Sequence, residues 1–214
     1  MAKHNRFLAL ISAIAAALLL TGCATTSKKT ASRKHSYTDI GALIIGKTTP
    51  AECRAMFGDP KSTRTETGGE GKFELYRYAQ LVRGPSKGFA RILLVEFKDG
   101  TLNGFAAASS FPEDRSTFPT ANLPKVEFAT STKVEVQQLL GKPQGRMRCP
   151  TKLFGGASRC KASGREMWIY EDFHPVRLPL SGGERRTFTG SGALIVFDDH
   201  NLVTDISSSE HADY

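Results

Sequence analysis

The chain is poor in the residues and motifs on which catalysis and metal binding depend. Of its 214 residues, five are histidine, four cysteine and one tryptophan. No Gly-x-Ser-x-Gly elbow presents a nucleophilic serine, and no His-Glu-x-x-His holds a zinc ion. Four of the histidines are out of place for a site: His4 and His35 precede the expected fold, His200 falls in a predicted turn and His211 in a polar tail. His174 sits in Glu171-Asp172-Phe173-His174-Pro175. Neighbours on an extended segment point to opposite faces, so this run does not make a dyad. The cysteines lack the second close pair of a structural zinc site. Residues 41–48, Gly-Ala-Leu-Ile-Ile-Gly-Lys-Thr, formally fit a phosphate-binding loop. Their apolar interior, the missing strand before them and Pro50 just behind speak against it. Nor is there a broad basic face. The formal net charge is +8, but Lys3 and Arg6 lie in the first residues, and Lys28, Lys29, Arg33 and Lys34 crowd together before Asp39. The rest is close to neutral, unlike a nucleic-acid binder. The chain is therefore expected to use no cofactor, metal, nucleic acid or small-molecule substrate, and not to be an enzyme.

What is present begins with an address. Lys3 and Arg6 precede an apolar run, Phe7–Leu20, which is shorter than the roughly 20 residues of a spanning helix. Small residues then lead to a cysteine, so residues 1–22 read as a secretory signal. Leu20-Thr21-Gly22-Cys23 resembles the lipobox of bacterial lipoproteins, which implies cleavage before Cys23 and acylation (palmitate among the chains) of that residue. Each buried CH₂ contributes about 0.8 kcal/mol, so several acyl chains make a stable anchor. Ala24 is not the aspartate that holds many lipoproteins at the inner membrane; the family analogy implies the outer membrane, periplasmic side. Residues 23–37 form a polar, basic tether. In an oxidising compartment Cys149 and Cys160 are expected to pair, and closing so short a loop contributes about 3 kcal/mol. Cys53 is expected to be a small buried residue.

The sequence then repeats itself. Thr49, Glu52, Gly58 and Pro60 recur at one spacing as Thr132, Glu135, Gly141 and Pro143, with Met56-Phe57 matched by Leu139-Leu140. Thr-x-x-Glu is a capping box, glycine ends a short helix, and proline two residues on prevents its continuation. After each helix come an aromatic strand (Phe73–Tyr78; Met167–Glu171), an apolar strand (Val95–Phe97; Ile195–Phe197) and a turn at Asp99-Gly100 or Asp199-His200-Asn201. Ile40–Ile45 and Leu123–Phe128 are each either a first helix or an extended lead-in. The expected fold is α+β: two tandem units, each with short helices packed on an antiparallel β-meander. The first covers residues 38–112, the second 113–208, and 209–214 form a tail.

The lipobox, Ile45-Gly46-Lys47-Thr48-Thr49-Pro50-Ala51-Glu52, Gly58-Asp59-Pro60 and the strands ending at Tyr76 and at Phe97-Lys-Asp-Gly resemble the SmpA/OmlA (BamE-like) family of outer-membrane lipoproteins. The doubling of the unit is similar to the β-lactamase inhibitor proteins. The first resemblance implies a non-catalytic, outer-membrane-anchored adaptor that binds protein in envelope or β-barrel assembly and maintenance. The second implies an inhibitor or binding module for a periplasmic enzyme. The candidate contact is an acid-free basic stretch comprising Arg146, Arg148, Lys152, Phe154, Arg159, Lys161 and Arg165, held by the expected Cys149–Cys160 loop. A longer loop, residues 173–192, with Arg177, Arg185, Arg186 and Phe188, would form the other side.

Overall fold

Two eight-residue helices, α1 (Pro50–Phe57) and α2 (Lys133–Leu140), lie on a sheet of eight strands. The structure is a computed structural model. It describes residues 40–213 apart from 69, 84–87, 115–117, 154–159, 161–162 and 179–184, and describes only the backbone of 68, 83, 88, 173–178, 185–190 and 209–213. Among the described residues, no helix is long and apolar enough to cross a membrane. Cys23 and the tether lie outside them.

Both helices begin as their sequences dictate. Thr49 accepts from the Glu52 amide while the Glu52 carboxylate accepts from the Thr49 amide at 2.7 Å. Thr132 and Glu135 do the same at 2.8 Å. Helices of two turns are unstable alone, and each buries one stripe on the sheet: Cys53 and Phe57 from α1, Val136 and Leu140 from α2. A fully buried side chain of this size contributes about 1.5–3 kcal/mol. The turn before α1 is stitched to the β3–β4 turn through Gly46 N–H to Leu102 O (2.7 Å) and Leu102 N–H to Thr48 O (2.8 Å). The turn before α2 is stitched to Val203 in the same manner. Residues 41–42 and 45–47 are turns, and Thr120–Lys125 is a 3₁₀ segment.

The strands are β1 (Ser62–Gly68), β2 (Gly71–Arg83), β3 (Gly88–Lys98), β4 (Thr101–Ser109), β5 (Gly145–Arg148), β6 (Glu166–Leu178), β7 (Arg185–Phe197) and β8 (Val203–Asp213). All pair antiparallel in sequence order in one continuous sheet. This corrects the expected two tandem units on separate meanders. The cause is β5, which pairs with β4 through Gly104↔Met147, Phe105↔Arg146 and Ala106↔Gly145, and with β6 on its other side. The glycines make that pairing close. A Cβ built on Gly104 would lie 2.2 Å from the Met147 Cβ. The expected loop at 173–192 is also corrected, because its backbone continues β6 and β7 as a long hairpin, His174 opposite Thr189. β8 likewise runs through residues expected to be a tail.

The core has three parts. On the helix side, α1 covers Tyr76, Tyr78, Leu93, Val95, Phe97 and Phe105, and α2 covers Trp168, Tyr170, Ile195 and Phe197. On the opposite side, Met147, Met167, Ile169, Val196 and Ala106 are capped by Cys149, Leu153 and Cys160.

Candidate binding groove

Strand alternation sorts the basic stretch onto two sides of the sheet. Registered partners share a face. One row across the helix side reads Tyr76, Val95, Phe105, Arg146, Trp168, Ile195, Ile206. Arg146 is the single charge in this row, and it falls at the seam between the patch under α1 and the patch under α2. Its guanidinium carbon is 6.0 Å from the Phe105 ring centre. Arg148, two residues on, projects from the same face and lies against the turn before α1. A Cβ built on Gly46 would meet its Nη1 at 2.8 Å. Gly46 has φ +79°, so glycine is favoured there by the backbone, while the flexible end of Arg148 could yield to a side chain.

A cleft of about 520 Å³ opens at this seam. Phe105, Arg146, Lys142 and Gln137 line it, with Ile40, Gly41, Glu113 and Asp114. The two acids share one counter-charge. Arg91, buried and stacked 4.2 Å from the Phe111 ring centre, bonds Asp114 through Nε and Glu113 through Nη2 at 3.0 Å. Ser109 gives Asp114 a further hydrogen bond at 2.8 Å. The cations have none: among the described residues, Lys142 and Arg146 of the cleft and Arg148 beside it form no ion pair. All three are exposed.

Lys152 goes elsewhere. It lies beyond the end of β5, over the other side of the sheet, 5.1 Å from the Phe73 ring centre and 3.3 Å from Glu70. Arg165 is half-buried, and its carbonyl accepts from the Cys149 amide at 2.9 Å. Phe154, Arg159 and Lys161 lie outside the described residues. The structure thus brings Arg146 and Arg148 together, adds Lys142, and separates Lys152 from them.

The Cys149–Cys160 disulfide, with Cα atoms 4.9 Å apart, holds the loop that seals the other side. A buried carboxylate fixes this loop to the sheet. Glu96 is 0% exposed and accepts from Asn103 Nδ2 and from the Lys152 amide, both at 2.6 Å. Thr151 and the Leu153 amide also donate to it. Asn103 Nδ2 reaches the Pro150 carbonyl at 3.0 Å as well. Burial still pushes the Glu96 pKa above the ordinary carboxylate value, against the lowering by these donors. Sequence reasoning passed over Glu96 and Asn103. The available signal was a lone acid inside the apolar run 92–97.

The remaining reactive groups do not assemble a centre among the described residues. Burial raises the pKa of the Cys53 thiol, whose Sγ sits 3.6 Å from the Tyr78 hydroxyl, so it is poorly nucleophilic. Asp198, Asp199 and His200 cluster in the exposed β7–β8 turn, where Asp198 Oδ1 is used by the amides of His200 and Leu202.

No family model matches the chain, and no curated protein matches it at a significant level. The SmpA/OmlA resemblance therefore has no support beyond the residues that carry it. Among solved structures, the fold is similar to a Streptococcus mutans protein provisionally described as a beta-lactamase inhibitor protein. Identity is 10%, covering 82% of this chain and 94% of the other, with a TM-score of 0.44. A likeness at that level carries no argument about function.

Proposed function

We propose that the chain is a non-catalytic protein-binding module of the bacterial envelope, and that its partner docks in the groove at the β4–β5 seam beside α2. The observation behind this reading is Arg146. A charge in a row that is otherwise apolar, at the seam between two covered patches and without a counter-ion among the described residues, is readily explained if an incoming group supplies one. Attachment to the outer membrane, on its periplasmic side, through a lipid on Cys23 is part of the proposal and rests on the Leu20–Cys23 motif. An adaptor in envelope or β-barrel assembly and an inhibitor of a periplasmic enzyme are two forms of such a module, and the groove serves either.

The test is to crosslink and purify the full lipidated chain from detergent-solubilised envelopes, beside an R146E/R148E variant, and to identify the bound proteins by mass. The expected result is a defined protein retained by the wild type and lost by the variant, with thermal unfolding unchanged. Equal recovery from both contradicts the groove assignment. A Cys23→Ser chain, released from the membrane, then separates the two forms: an inhibitor stays active and an adaptor does not.

A further inference from the structure

Resting on the binding reading above, we propose that the groove takes an extended acidic segment of a partner protein, with carboxylates two residues apart, laid along β5 on the helix side. Arg146 and Arg148 stand on one face of a strand, about 6.8 Å apart at the usual rise per residue. An extended ligand strand presents alternate side chains at that same interval, so two of its carboxylates meet two guanidiniums in register. Arginine suits this role because its planar fork accepts a carboxylate through two parallel hydrogen bonds.

Charge fixes the sign of the ligand. Arg91 pairs with both Glu113 and Asp114 and offsets one of their two charges, whereas Lys142, Arg146 and Arg148 find no acid among the described residues, so the three free cations outweigh the one uncompensated acid. Like charges held this close repel, and an anionic ligand relieves that repulsion. The layout argues for a chain over a single anion. A phosphate site gathers donors onto one point, commonly backbone amides at a helix start. Here Arg146 and Arg148 follow the strand, and the half-buried Pro143 offers apolar surface beside them for the side chains between the acids. A cleft of about 520 Å³ falls in the range of built ligand sites.

The experiment uses the full-length chain in detergent micelles and a fluorescein-labelled peptide with aspartate at alternate positions, read by fluorescence anisotropy. A second peptide of the same composition groups its aspartates in one block. The alternating peptide should bind more tightly than the block peptide and lose affinity by about 0.5 M salt. R146E/R148E should weaken it by about tenfold or more. Lys152→Gln, on the other side of the sheet, should change it by less than about twofold. Absence of binding, equal binding of both peptides, or an unaffected R146E/R148E variant overturns the inference. Stronger competition by inorganic phosphate or by phosphatidylglycerol vesicles than by unlabelled peptide also overturns it, in favour of an anion or a lipid headgroup. If the peptide fails while R146E/R148E still loses its crosslinked protein, the groove reading survives and the acidic strand does not. If the variant keeps that protein, both fall.

Discussion

On one side of the β4–β5 seam, Gly145 and Met147 face an apolar layer closed by a disulfide loop; on the other, Arg146 lines an open cleft and Arg148 lies beside it against the turn before α1. Four consecutive residues make both surfaces, because alternate side chains leave a strand in opposite directions. The sealed side is held by buried apolar contacts, close glycine packing and the Glu96 latch. The open side has a charge where its row would otherwise be apolar, in a cleft that Gln137 of α2 also lines. The sealed side therefore supplies the stability of the joint, and the open side is the one proposed to serve a partner.

Substitutions should separate the two sides, and the largest effect belongs to the joint itself. Gly104→Val places side-chain atoms where Met147 Cβ already sits, so β4 and β5 must part. A loss of about 3 kcal/mol or more is expected in urea unfolding, since backbone and a buried neighbour cannot both yield. Replacing both Cys149 and Cys160 by serine should cost about 3 kcal/mol by the same measurement and leave the R146E/R148E-sensitive binding in place wherever the fold persists. Asn103→Ala removes one of the donors to the buried Glu96 carboxylate, and about 1–3 kcal/mol should be lost at neutral pH. That penalty should shrink in acid, where the carboxyl is protonated and needs fewer donors.

The smallest effect is a pH slope. Burial pushes the Glu171 pKa, on the sealed side of β6, up to about 7. A carboxyl with a raised pKa keeps its proton longer in the folded than in the unfolded chain. Its contribution is therefore fullest below the ordinary value of 4.5 and declines as pH rises through about 7. Glu171→Gln should flatten the fall in thermal midpoint across that window. An unchanged slope would assign the fall to another group.

Local chemistry was readable in advance. Both capping boxes, the glycines and prolines that end the helices, and the Asp99-Gly100 turn lie in windows of a few residues, where the physics is local. The sheet was not. β1, Ser-Thr-Arg-Thr-Glu-Thr-Gly, has no apolar alternation, and β5, Gly-Arg-Met-Arg, has one apolar residue. Nothing local marks these two as strands, and without β5 the chain reads as separate meanders. For the site, charge drew attention to Arg146 and Arg148, but faces are assigned only once register is known, so Lys152 was grouped with them. The Glu96–Asn103 latch joins residues far from the loop in sequence and left only a misplaced acid as a trace.

The most direct measurement contrasts the two faces in the intact envelope, with a photo-crosslinking amino acid placed in turn at Gln137 and Arg77. Gln137 lines the groove, whereas Arg77 is registered with Leu94, which packs on the sealed side. Both positions are exposed. Capture of one defined protein from Gln137 and none from Arg77 is expected, with the product lost when Arg146 and Arg148 are reversed. Capture from Arg77 alone would contradict that expectation and move the working surface to the other side of the sheet.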